Sequence, residues 1–247
     1  MTGQALRSMV ATRRAMMWLC LGAIVATAWA YLATNQDAFQ ALCRAIPVSF
    51  APRDLAVVFL MWLAMGLAMM LPSATPMIDT YLDIAEAAHE KSIAVVSPAI
   101  LALGYCLVWL AFAFVMSGIQ ISAASWLTLP DPRLAGAALI LAGAYQFTPL
   151  KHSCLTKCRA PMPYFLRRWS DRTHRVLLMG VEQGALCLGC CWALMALALV
   201  TGFMNIAWMA AVGVIAVLEK VLPEPKPIIY GCGIGLIGAG ILILAFG

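Results

Sequence analysis

Apolar runs of membrane-spanning length constrain this chain more than any other feature. Seven stand out: Ala15–Ala33, Leu55–Leu71, Ile93–Ile119, Leu134–Leu150, Val176–Gly202, Phe203–Leu218 and Ile228–Phe246. The hydrocarbon core of a bilayer is crossed by about 20 apolar residues rising about 1.5 Å each in a helix. The fifth and sixth runs meet at "VTGFMN", where Gly202 and Asn205 supply turn chemistry. Only 11% of the residues are charged, against roughly 25% in a soluble domain. The expectation is an all-α integral membrane helix bundle of about seven transmembrane helices. Residues 1–247 then form a single polytopic domain with little mass outside the bilayer. "AWA" at 28–30 resembles a signal-peptide cleavage site, but the apolar run is long for a signal, and we read it as an uncleaved span.

Charge gives this bundle a direction. The N-terminal segment carries Arg7, Arg13 and Arg14, and the connection 72–92 carries Lys91. Connection 151–175 holds Lys151, Lys157, Arg159, Arg167, Arg168, Arg172 and Arg175, and 219–227 holds Lys220 and Lys226. These 13 fall on one side, whereas Arg44, Arg53 and Arg133 are the 3 on the other. Short cytoplasmic connections are enriched in Lys and Arg. The N-terminus is therefore expected in the cytoplasm and the C-terminus outside.

Sulfur is the second unusual feature, with nine cysteines and fifteen methionines. "YQFTPLKHSCLTKCRAP" (Tyr145–Pro161) places Cys154 and Cys158 four residues apart, on one face of a helix, with His152 beside them. Two thiolates on adjacent turns can clamp a soft metal ion, and the nearby Lys151, Lys157 and Arg159 favour the thiolate. Two ordinary interfacial cysteines would look the same. In "CLGCCWALM" (Cys187–Met195), Cys187, Cys190 and Cys191 lie near the middle of the fifth run. Met179, Gln183, Cys187, Cys191 and Met195 recur every four residues as one stripe. Polar groups inside a membrane need partners, so Glu182 and Gln183 predict that this stripe faces protein or a wet cavity. Gly180 and Gly184 suit a packing seam as well. "MWLAMGLAMMLPSATPM" aligns Met61, Met65 and Met69, and a thioether is a soft ligand for Cu(I), although such a stripe is also plain core. After Pro72 and Pro76, Asp79, Asp83, Glu86, His89 and Glu90 form a polar face, either an acidic docking surface or simply solvated. Glu219 and Lys220 close the sixth run, where either can pair with Glu182 or neutralise a charge. "GCGIG" (Gly231–Gly235) offers a small-xxx-small face.

The strings "YQFTPLKHSCLTKCRAP", "CLGCCWALM" and "WLAMGLAMMLPSATPM", together with "GFMNIAWMAAVGVIAVLEK", resemble the bacterial family of predicted metal-binding integral membrane proteins, domain of unknown function 2182. The resemblance covers about Leu55 to Lys220. It implies a multi-pass protein of the bacterial inner membrane with a metal site and no assured activity. Members often carry His where this chain has Gln183 and Lys157, so the resemblance implies a more purely sulfur site here.

These readings favour a copper-handling membrane protein that binds Cu(I) through Cys187, Cys190, Cys191, Cys154 and Cys158, with His152, Met65 and Met69 as further ligands. Two alternatives stand beside it: a structural or assembly subunit of a larger membrane complex, and a membrane thiol–disulfide oxidoreductase. The expected partners are the lipid bilayer and a membrane or periplasmic protein or a second copy, and no nucleic acid. No phosphate loop, serine triad or carboxylate pair is present, so a binding role is a better reading than catalysis.

Overall fold

The computed structural model describes residues 3–39, 52–91, 93–124, 132–200 and 206–246. Regular structure among these is helical. We label the helices α1 (Gly3–Thr34), α2 (Pro52–Met70), α3 (Thr75–Glu90), α4 (Pro98–Ala124), α5 (Pro132–Gln146), α6 (Pro149–Arg159), α7 (Pro161–Arg168), α8 (Thr173–Val200), α9 (Ile206–Val221) and α10 (Lys226–Phe246). Proline opens α2, α4, α5, α6 and α7. At the first helical position its missing N–H costs nothing and its fixed φ favours the helix.

Every apolar run forms a helix, but the lengths differ. Segments within α1, α2, α4, α8 and α10 are long and apolar enough to cross a membrane. Helices α5 and α9 have 15 and 16 residues, rising only about 22 and 24 Å. The run read as Leu134–Leu150 is divided. Pro149 forces Thr148 into an extended conformation (φ −72°, ψ 145°), so α5 ends at Gln146 and α6 starts anew. The Thr148 side chain caps α6 by accepting from the Lys151 N–H at 3.3 Å. Arg44 and the Gly202–Asn205 turn lie outside the described residues.

Large apolar side chains cover the outside, among them Leu19, Phe114, Leu141, Ile234 and Phe246. That surface suits lipid better than water. Two pairs of helices approach at glycine. On α4, a Cβ at Gly104 would stand 2.2 Å from the Leu177 carbonyl, and one at Gly180 of α8 would stand 2.1 Å from the Leu101 carbonyl. Helices α5 and α10 meet similarly through Gly136, Gly143, Gly233 and Gly240. Backbones that touch in this way give van der Waals contact where no hydrophobic drive exists. Within "GCGIG", Gly233 makes the close contact. Gly231 and Gly235 face open space, and the contact runs along Gly233 and Gly240.

Polar contacts gather the predicted cytoplasmic connections at one end. Arg14 of α1 bonds Asp79 at 2.8 Å and Asp83 at 2.9 Å on α3, with Glu86 at 3.8 Å. The acidic face of α3 is thus partly spent on α1. Tyr81 of α3 stacks on Trp169 and meets Phe165 edge-on, and burial pushes its hydroxyl up to about 12. Arg159 of α6 donates to the carbonyls of Leu222 and Pro223, between α9 and α10. At this end α7 and α8 frame an open cavity of about 550 Å³ lined by Arg167, Arg168, Arg172 and Arg175.

Candidate metal site

Helix α8 carries Cys187, Cys190 and Cys191 on its inward face, at 0%, 1% and 2% exposure. The expectation that they face protein rather than lipid holds. The thiols of Cys190 and Cys191 donate back to the Cys187 carbonyl at 3.0 and 2.9 Å. That local bond fixes both sulfurs beside the helix.

Four other helices bring partners. Helix α2 stops at Met70 because Pro72 follows, leaving carbonyls without helical partners. The Met70 carbonyl accepts from Ser73 Oγ and from the Tyr105 hydroxyl of α4, both at 2.8 Å. Held so, Met70 places its Sδ 3.5 Å from Cys191 Sγ. The Cys187 sulfur has the Tyr105 hydroxyl at 3.0 Å, Lys220 Nζ of α9 at 2.9 Å and Ser73 Oγ at 3.9 Å. From α6, Cys158 stands beside Cys187 and Cys190, close enough to interact with both side chains. Four cysteines and one methionine, drawn from α2, α6 and α8, therefore converge.

The remaining site expectations fall in several places. Cys154 and Cys158, read in the sequence as one pair, take different neighbours, because the α5–α6 break tucks α6 against α8 and brings Cys158 to Cys187. Cys154 packs on Gly189, where a Cβ would stand 2.8 Å from its sulfur. His152 turns away, its ring edge-on to Tyr230 of α10 at 6.2 Å. Met65 and Met69 are buried, and Met69 lies against Gly213. Among the described residues neither makes a hydrogen-bond-range contact with a cysteine. The methionine that does is Met70, one position off the Met61–Met65–Met69 stripe. Glu182 points outward, held by Arg168 at 2.5 Å and the Tyr164 hydroxyl at 2.5 Å. Burial, then the adjacent Glu182 carboxylate, raises the Tyr164 hydroxyl well above its ordinary range. Gln183 points inward at 1% exposure, with neither amide atom hydrogen-bonded. An unpaired buried amide is costly, and it sits one turn from Cys187.

A second buried polar group lies at the α5–α6 break. Lys151 Nζ bonds Glu219 Oε1 at 2.8 Å, both side chains at most 2% exposed. Lys151 also donates to Gln146, whose Nε2 reaches Cys232 Sγ at 3.6 Å. Glu219 and Lys220 are adjacent in sequence yet serve different partners: one holds Lys151, the other reaches Cys187 and, at 2.6 Å, Ser73. Neither pairs with Glu182.

The donor set decides which ions suit it. Among the described residues no three His, Cys, Asp or Glu side chains are arranged to hold a metal ion. A closed tetrahedral zinc site needs four such ligands. A soft monovalent ion needs fewer, and thiolates and thioethers select Cu(I). The family model described as "PpoB2: Copper chaperone" matches residues 59–243. The chain belongs to the PpoB2 copper chaperone family. This upholds the metal-binding content of the family resemblance and narrows it to copper, under a different family name. The matched span includes Met70, Cys158, the three α8 cysteines and Lys220. No curated protein and no solved structure matches the chain.

Proposed function

We propose that this chain carries a cuprous ion inside the membrane at the cluster of Met70, Cys158, Cys187, Cys190 and Cys191, and hands it on to an acceptor. The observation that carries the reading is the convergence of four buried sulfur side chains and the half-buried Cys158, from three helices, in a copper chaperone family member. The family supports copper, and the donor chemistry supports the cuprous state. The cost of burying an ion by Born solvation grows as the square of its charge, so a monovalent ion enters a low-dielectric interior far more readily than a divalent one. Met179 lines the basic cavity and lies on the same helical stripe as Gln183 and Cys187.

The finer topology belongs to the same proposal. Seven spans in the bacterial inner membrane, with a cytoplasmic N-terminus, place the arginine-lined end inside. The break between α5 and α6 is packed against α8, and irregular backbone is tolerated at membrane depth where protein surrounds it. Broken helices with buried polar groups are common at transport sites.

The test is copper content and X-ray absorption of protein loaded with Cu(I) under anaerobic conditions. Sulfur-dominated scattering is expected. The Cys187→Ser/Cys190→Ser/Cys191→Ser variant should lose most of its copper. Met70→Leu should stay folded, since that exchange conserves volume, and should lose one sulfur scatterer. Nitrogen or oxygen ligation, or unchanged stoichiometry in the triple variant, refutes the site and favours a structural-subunit role.

A further inference from the structure

We propose that Lys220 makes this site select ions by charge as well as by softness: its fixed ammonium makes the complex with a monovalent ion neutral and leaves a divalent one over-charged. This rests on the copper-site reading and names the residue that sets its specificity.

Lys220 is buried at 6% exposure, with its Nζ 2.9 Å from Cys187 Sγ and 2.6 Å from Ser73 Oγ. A lysine whose role was only to be neutralised would pair with a carboxylate. The nearest sequence neighbour able to do so, Glu219, is instead committed to Lys151 at 2.8 Å. That pair cancels itself. Among the described residues the cluster therefore has one uncancelled charge, the Lys220 ammonium, directed at the Cys187 sulfur. Tyr105, Ser73 and Met70 complete the surroundings without charge.

The charge count follows. Two thiolates and one Lys220 ammonium sum to −1. A cuprous ion brings the buried assembly to zero. A divalent ion brings it to +1, which a low-dielectric interior penalises. Without Lys220 the order reverses: the two-thiolate complex of a divalent ion is neutral and that of Cu(I) carries −1. Silver is the softer of the two thiophilic probe ions, silver and cadmium, so softness sets a baseline preference that is the same in every variant, and only charge changes the ratio when Lys220 is neutralised.

The experiment compares Ag(I), a monovalent soft probe, with Cd(II), a divalent one, in anaerobic competition titrations of the full chain. Wild type should prefer Ag(I). Lys220→Met and Lys220→Gln should lower the Ag(I)/Cd(II) affinity ratio by about 30-fold or more, a fraction of what a unit charge about 4 Å away exerts at an effective dielectric near 20. Lys220→Arg, which keeps the charge, should hold the ratio near that of wild type. A ratio unchanged within about three-fold in the neutral variants overturns the proposal, even where wild type binds Cu(I) at sulfur as the copper reading expects. If neither neutral variant folds, wild type still decides: Cd(II) bound as tightly as Ag(I) overturns it. Wild type that binds no soft ion overturns the copper reading beneath it.

Discussion

Replacing Lys151 by Met tests how the α5–α6 break is held. In the native chain the Lys151 ammonium and Glu219 carboxylate meet at 2.8 Å with side-chain exposures of 1% and 2%. The Gln146 amide is the other partner of Lys151. Removing Lys151 leaves Glu219 charged and buried, or forces it to take a proton. Breaking a buried pair in this way costs about 3–5 kcal/mol. An ordinary hydrogen bond between membrane helices contributes only about 0.6 kcal/mol. The two magnitudes are far enough apart to decide what the contact is. Lys151→Met should lose several kcal/mol, whereas Lys151→Met/Glu219→Leu should recover most of it, because exchanging both partners for apolar groups is nearly neutral. Reversible unfolding in detergent micelles, read by near-ultraviolet circular dichroism across the cycle, measures both. A single variant within about 1 kcal/mol of wild type would refute the reasoning and reduce the pair to an ordinary polar contact.

Two other outcomes are expected. Gly104→Val should prevent the close crossing of α4 and α8, since even a Cβ meets the Leu177 carbonyl at 2.2 Å; expression and monodispersity on gel filtration should fall sharply, and a normally folded variant would contradict the crossing. A cysteine introduced at the exposed Asp171 should be labelled by an impermeant maleimide only when the cytoplasmic side is opened, and labelling in intact cells would overturn the orientation.

Much of the helix inventory was legible because apolar length alone dictates it. What hydropathy missed were breaks and inward turns of polar residues. Leu134–Leu150 looked continuous, and the decisive mark was Thr148–Pro149, a pair read as interior to the run. The three α8 cysteines were legible because a membrane helix carrying Gln183 must bury that face. Cys158 was recognised, but its meeting with Cys187 depends on how α6 folds back, which helix periodicity does not encode. Met70 escaped because a spacing of four selects Met61, Met65 and Met69, while the residue at a helix end is aimed by the turn that follows. Lys220 was visible as a charge closing a span. Its partner was not, since only packing shows that Glu219 and Lys220 take different partners.

The break at Thr148–Pro149 has a mechanical consequence. Sulfurs on a single helix stand at a spacing the helix dictates, and an ion held between them can leave only by bond exchange. Cys158 is different, because it rides on an eleven-residue segment joined to α5 through two non-helical residues. On the proposed copper reading, an ion shared by Cys158 and Cys187 would be gripped between two separately anchored pieces of chain, as in a pair of jaws. Lys151, on the first turn of α6, bonds both Gln146 of α5 and Glu219 of α9, so that buried pair sets the angle at the two joining residues and with it the separation of the two pieces.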